Sequence, residues 1–409
     1  MRHIVVAAVV LLLGAMGPQK GIESSMDPLW FIGVLLLVAY SFGRLLDSFD
    51  LPSTVGWFLA GLTVGETGLQ LVLPKEFAVL NLLRDATLAW IVFHIGLNCY
   101  PISWLNKRIS LSIFFSTISV VILVSFSVWF VVGLSWQPAL FIGAVSAFWG
   151  PFSGMPVSRR LFAVEIGGVG GLFSLLLFLL TLQYLSSIAW LAHEAETYVG
   201  RIIFSMSLGG IGGYIICRFD LWPRTLKGLL SGMLGVCLLI AAAFQTLNLY
   251  VLPFVVTASL VVSREKRWKR KLNRILNSVG IFPYLLYFGL MGSFLNLRII
   301  TEPIVGVMTA LGIAALTIFV FRGIWVSAMF RAQSLPQNGK FGLDVLSRGV
   351  LTFEICMPTG LGLFDSITGQ NAKLLMQFVT LDIFLSLVFY AIFIRFAQIA
   401  LRARRLRNN

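Results

Sequence analysis

Charge is scarce in this 409-residue chain. Asp, Glu, Lys and Arg together make up 12% of it, about half of the roughly 25% found in soluble domains. No polar stretch is long enough to build a separate soluble domain. The four cysteines (Cys99, Cys217, Cys237 and Cys356) all lie in apolar segments without CxxC spacing. They read as buried free thiols and fix no redox compartment. No nucleotide-binding loop, metal-ligand cluster or nucleophile–base arrangement stands out. Nothing in the sequence therefore points to an enzyme, a cofactor or a bound metal.

Hydrophobic residues fill the space, at 58% of the chain. They recur in runs of about twenty, the length that crosses a bilayer's hydrocarbon core. The chain reads as an all-α polytopic membrane protein. Hydropathy and turn residues divide it into thirteen spans, at 28–46, 51–72, 78–100, 109–133, 138–158, 163–190, 198–217, 226–246, 249–263, 275–297, 303–330, 340–363 and 372–400.

Basic residues test that count. Alternate loops, starting after the first span, collect Arg44, Lys107, Arg108, Arg159, Arg160, Arg218, Arg224 and Lys227. They also collect the cluster "REKRWKRKLNR" (264–274), Arg331, Lys340 and the tail "RARRLRNN". The opposite loops hold few cations, alongside the acidic "HEAE" at 193–196. Lys and Arg concentrate on the cytoplasmic side, so the C-terminus is expected inside and the mature N-terminus outside, in the cell (inner) membrane. The net charge of +14 follows from the same rule and does not call for nucleic acid. The 264–274 cluster also suits contact with anionic lipid head groups. Residues 1–16 have a basic start and a short apolar core, as in a signal peptide or an extra short helix. The expected layout is thus residues 1–27 as a leader, 28–400 as the membrane domain and 401–409 as a basic cytoplasmic tail.

Two stretches break the apolar pattern. "SAFWGPFSGMP" (146–156) places two glycines and two prolines inside the fifth span, and "MPTGLG" (357–362) places two glycines and one proline in the twelfth. Irregular backbone at membrane depth is tolerated where protein or water satisfies the freed amides and carbonyls. In transporters such breaks line the substrate site.

Several segments, in order, resemble the monovalent cation/proton antiporters, the sodium/hydrogen exchanger-like superfamily. "LPSTVGWFLAGLTVGETGLQLV" (51–72) is similar to that family's glycine-rich second span. "LAWIVFHIGLNCYPISWLNKR" (88–108) is similar to its third. "LPFVVTASLVVS" (252–263), "FPYLLYFGLMGSFLNL" (282–297) and "LSRGVLTFEICMPTGLG" (346–362) are similar to later spans. The resemblance implies two inverted six-helix repeats, about 28–190 and 226–400, linked by a helix at 198–217. It implies that the interrupted fifth and twelfth helices cross near the midplane. It implies exchange of a monovalent cation (Na or K) for protons by alternating access, in a homodimer, with a small ion, protons and the lipid bilayer as partners.

The candidate transport core departs from that pattern. Pro151 matches the family's proline, but Gly150 and Trp149 precede it where a polar or acidic residue is usual. The sixth span has Gly170 and Gly171 where the family places aspartates, and that span contains no Asp. Cation/proton exchange needs a carboxylate that holds either a proton or a metal ion. The remaining intramembrane carboxylates offered for that task are Glu354 and Asp382, with Arg322 and Arg348 as core cations. Arg84 and Asp85, adjacent in the third span, are expected to face different sides of their helix. His94 is expected to be a satisfied core histidine. The alternative to exchange is a transport-inactive or anion-selective protein of the same fold, acting as a membrane scaffold or sensor.

Overall fold

The computed structural model describes residues 28–98, 107–147 and 194–295, apart from short gaps at 50, 52, 66, 72–76, 134, 219–225 and 248. It also describes isolated positions at 177, 181, 309, 312, 313 and 317. Among the described residues every regular element is helical. The α-helices are α1 (Pro28–Ser48), α2 (Ser53–Val64), α3 (Phe77–Asn98), α4 (Lys107–Ser127), α5 (Trp136–Ser146), α6 (Glu194–Arg218), α7 (Leu226–Thr246), α8 (Val251–Ser263), α9 (Lys266–Val279) and α10 (Phe282–Phe294). A π-helical segment, Val128–Val132, continues α4. Three stretches, Pro28–Ser48, Ile113–Val131 and Gly200–Arg218, are long and apolar enough to cross a membrane. The chain divides into two compact units, Met1–Leu97 with Ile203–Arg298 and Asn98–Ile202 with Ile299–Asn409.

In the first unit α2 and α10 are buried almost all round. Nine of the twelve residues of α2 and ten of the thirteen of α10 are buried, as expected of helices that are apolar on every face. Lipid tails offer no hydrophobic gain for helix association, so close backbone approach through small residues must supply it. Gly61 of α2 and Gly65 just beyond its end lie against the backbone at Gly289 and Ser293 of α10. Gly292 lies in return against Phe58 and Leu62 of α2, and Gly56 against the Phe42 carbonyl of α1. A methyl group at any of these glycines would strike main chain.

Helix α3 runs antiparallel to α10. Arg84 lies over the Phe294 ring, and His94 meets Tyr284, ten residues along each helix in opposite directions. Gly96 brings α3 onto Ser259 of α8. The α8 helix in turn grips α6: Thr257 Oγ1 donates to the Met206 carbonyl at 2.9 Å, and Gly209 and Gly213 admit the α8 backbone. Phe244 of α7 packs edge-on to Phe254 of α8 at 4.8 Å.

The structure corrects two boundaries in this unit. The second span stops being helical at Val64, where Gly65, Gly68 and the positive-φ Gln70 (φ 54°) turn the chain. The tenth span, expected at 275–297, begins at Phe282. Residues 275–279 belong to α9, an amphipathic helix holding most of the basic cluster at 264–274, where the sequence predicts a loop. Gly280 (φ 63°) separates the two. Glycine accepts that backbone where other residues are strained.

In the second unit α4 and α5 form an antiparallel pair, with Gly143 of α5 against Ser125 and the Val121 carbonyl of α4. Gly133 (φ 72°) ends the π segment. Beside it Trp129 stands edge-on to Trp136 at 6.2 Å, and Phe130 stacks on Phe126 at 6.2 Å. All four rings are exposed, an aromatic group of the kind found at membrane–water boundaries.

Candidate functional site

The nine residues proposed for the transport core are Trp149, Gly150, Pro151, Gly170, Gly171, Arg322, Arg348, Glu354 and Asp382. All lie outside the described residues. The thiols of Cys99 and Cys356 lie outside them too. Cys217 and Cys237 are free and half-buried.

The approach to the first interruption is described. Helix α5 starts at Trp136, takes Pro138 in its first turn where the missing amide costs nothing, and ends at Ser146. The Ala147 amide donates to both the Gly143 carbonyl (3.1 Å) and the Ala144 carbonyl (3.3 Å), which tightens the last turn. Eleven residues rise about 16 Å, roughly half the ~30 Å hydrocarbon thickness. The regular helix therefore stops where "SAFWGPFSGMP" begins. Polar side chains are buried along this hairpin: Ser116, Thr117 and Ser125 on α4 and Ser146 on α5. Thr117 bonds back to the Ile113 carbonyl at 2.8 Å.

In the first unit, helix α3 carries Arg84, Asp85 and His94. Arg84 and Asp85 do not diverge as expected. Nε and Nη2 of Arg84 both donate to Asp85 Oδ1, at 3.0 and 2.7 Å, and the side chains are 3% and 13% exposed. Adjacent helical residues point about 100° apart, but a buried guanidinium needs a counter-charge. The long Arg84 side chain curls over its own helix to reach one. Its face lies 5.9 Å from the centre of the Phe294 ring, a cation–π contact. His94 Nδ1 and Tyr284 Oη are 3.1 Å apart, so the histidine is hydrogen-bonded as expected. Neither Tyr284 nor Phe294 was singled out in the sequence. Only the antiparallel register of α3 and α10 makes them partners. Among the described residues no three His, Cys, Asp or Glu side chains gather as a metal site would require.

No family model and no curated protein sequence matches the chain. Among solved structures, the sodium proton antiporter MjNhaP1 of Methanocaldococcus jannaschii is similar at a TM-score of 0.59. That similarity covers 90% of this chain and 97% of that one, at 15% sequence identity. The fold is that of a sodium proton antiporter. The match extends through nine tenths of this chain. It agrees with the ordered motifs read in α2, α3 and α10, and with an integral membrane protein. At this identity the likeness shows the fold alone, and packing and side-chain roles rest on the residues of this chain.

Proposed function

We propose that the chain is a secondary transporter that exchanges a monovalent cation for protons by alternating access. The shared antiporter fold supports this class. The two glycines and two prolines of "SAFWGPFSGMP", which begins at the last residue of α5, carry the reading, because a regular span would have no reason to break there unless its freed backbone groups face protein or water. In this reading the fifth and twelfth spans meet as interrupted helices in two inverted repeats, and their half-helix ends offer partial charges to the ion. Trp149, Gly150 and Pro151 line the first break, with Gly170 and Gly171 facing it. Arg322 and Arg348 supply fixed positive charge. Glu354 or Asp382 takes the part of the absent aspartates as the carboxylate that binds proton or cation in turn. The protein functions as a homodimer with its C-terminus in the cytoplasm.

Flux measured in proteoliposomes with an internal pH dye tests this. Na⁺ or K⁺ gradients should drive proton movement in the wild type. Replacing the operative carboxylate, Glu354→Gln or Asp382→Asn, should lower it by at least tenfold. Absence of flux under any cation gradient overturns the exchange reading. Flux untouched by both substitutions overturns the choice of carboxylates.

The lack of any Asp in the sixth span favours a second reading, an anion-selective or transport-inactive protein of this fold. Flux driven only by chloride or another anion supports the first form of it. A protein that folds, dimerises and moves no ion supports the second.

A further inference from the structure

Helix α9 has two faces of opposite character. Trp268, Leu272, Ile275 and Leu276 are at most 6% exposed and seal one side of it into α7 and α8. Lys266, Arg267, Arg270 and Arg274 are exposed. At 3.6 residues per turn these four cations fall within an arc of about 100°, diametrically opposite the buried face. Lys271 closes the margin between the faces, its Nζ 4.8 Å from the centre of the Trp268 ring. Across 264–274 there are seven Lys and Arg against one Glu, a net charge of 7 − 1 = +6.

The chain also fixes where this face lies. Only Arg264 and Glu265 separate α8 from α9, and only Gly280 and Ile281 separate α9 from α10. Two residues reach about 7 Å, less than the ~8 Å over which charge is screened at physiological salt. Both ends of α9 are therefore tethered within one screening length of the apolar helices flanking it. We propose that α9 is a docking surface for the anionic phospholipid head groups of the leaflet its own chain spans. The occupant is a lipid because a head-group layer lies within reach at all times and carries the complementary charge. A free amphipathic helix sinks its apolar face into lipid. Here that face is already spent on the protein, so the contact is electrostatic, confined to head groups and sensitive to salt.

The full-length protein, purified in detergent and offered phosphatidylglycerol and phosphatidylcholine in equal amounts, tests this by native mass spectrometry of retained lipid. A cation near an anionic surface strengthens attachment about fivefold. The variant K266Q/R267Q/R270Q/R274Q should therefore lose phosphatidylglycerol retention by at least fivefold, while phosphatidylcholine retention stays the same. Raising salt should produce the same loss in the wild type. A variant with four cations removed from the tail, R402Q/R404Q/R405Q/R407Q, should keep the wild-type preference. The mutated face makes no core contact, so melting in neutral nanodiscs should not change. If it does, the milder R270Q/R274Q pair gives the comparison. Equal retention by the α9 variant overturns the proposal, as does equal loss in the tail variant. Displacement of phosphatidylglycerol by a short DNA duplex at matched charge assigns the face to nucleic acid and overturns it too.

Discussion

Arg84 has almost no contact with solvent, and its guanidinium is held by one oxygen of Asp85 and the face of Phe294. Removing one member of such a pair strands the other charge, which costs more than the pair itself contributes. Asp85→Asn should destabilise the protein by about 3–5 kcal/mol. The double change Arg84→Met with Asp85→Leu should recover most of that loss, since apolar residues of similar volume often replace a buried pair at little cost. Thermal unfolding of the wild type, Asp85→Asn and the double variant in one detergent checks this. A double variant no more stable than Asp85→Asn would show that the cost lies in packing and not in a stranded charge. The pairing itself was hidden in the sequence because neighbouring helical residues point apart. Burial, which only the packing of α3 reveals, drives Arg84 back across its own helix.

Helix pairs show a different economy of scale. Where α2 and the turn after it meet α10 the backbones touch through Gly61, Gly65 and Gly292, so a methyl group added at any of the three must push against main chain. Gly61→Ala should cost about 1–3 kcal/mol, the usual range for overpacking. Gly33, mid-helix in α1 with nothing within 4 Å of an added methyl, should respond oppositely. Gly33→Ala should gain up to about 1 kcal/mol from the stiffer backbone. Melting temperatures of the two variants check the pair, and equal shifts would remove the distinction between seam and open face. The glycine spacing in 51–72 announced this seam, and hydropathy placed α1, α3, α7 and α8 to within two residues of their observed ends. It failed at α9, because a run of Lys and Arg outweighed the period of Trp268, Leu272, Ile275 and Leu276. The break at Gly280 was legible after all: a glycine two residues before Phe282–Pro283 is a stop followed by a helix start. The proposed core residues were legible only as an interruption. Periodicity marks where a helix must stop, as α5 does at Ser146, but not which side chains then converge.

For the whole molecule, the charge pattern of the sequence predicts an orientation that can be compared with the helix ends. Helix α4 begins with Lys107 and Arg108 and runs out to the aromatic group at Trp129 and Trp136. Helix α6 has Glu194 and Glu196 at one end and Arg218 at the other, about 37 Å away along 25 residues. Helix α4 thus carries cations at its first turn, and α6 has both carboxylates at one end and Arg218 at the other, with Arg201 about two turns in from the acidic end. The added helix α9 fits the expected alternation when its exposed cations and two-residue tethers hold it on one surface between the apolar helices α8 and α10. Had 264–279 crossed instead, its cations would have entered hydrocarbon at about 2.5–3.5 kcal/mol each, and every later loop would have changed sides. The two arrangements separate cleanly in reporter fusions. A reporter after Arg108 and another after Asn277 should both report the cytoplasm, whereas one after Glu196 should report the opposite side. A signal from Asn277 that matches Glu196 would mean that α9 spans the bilayer, and the alternation of charge that orients the chain would fail from that point onward.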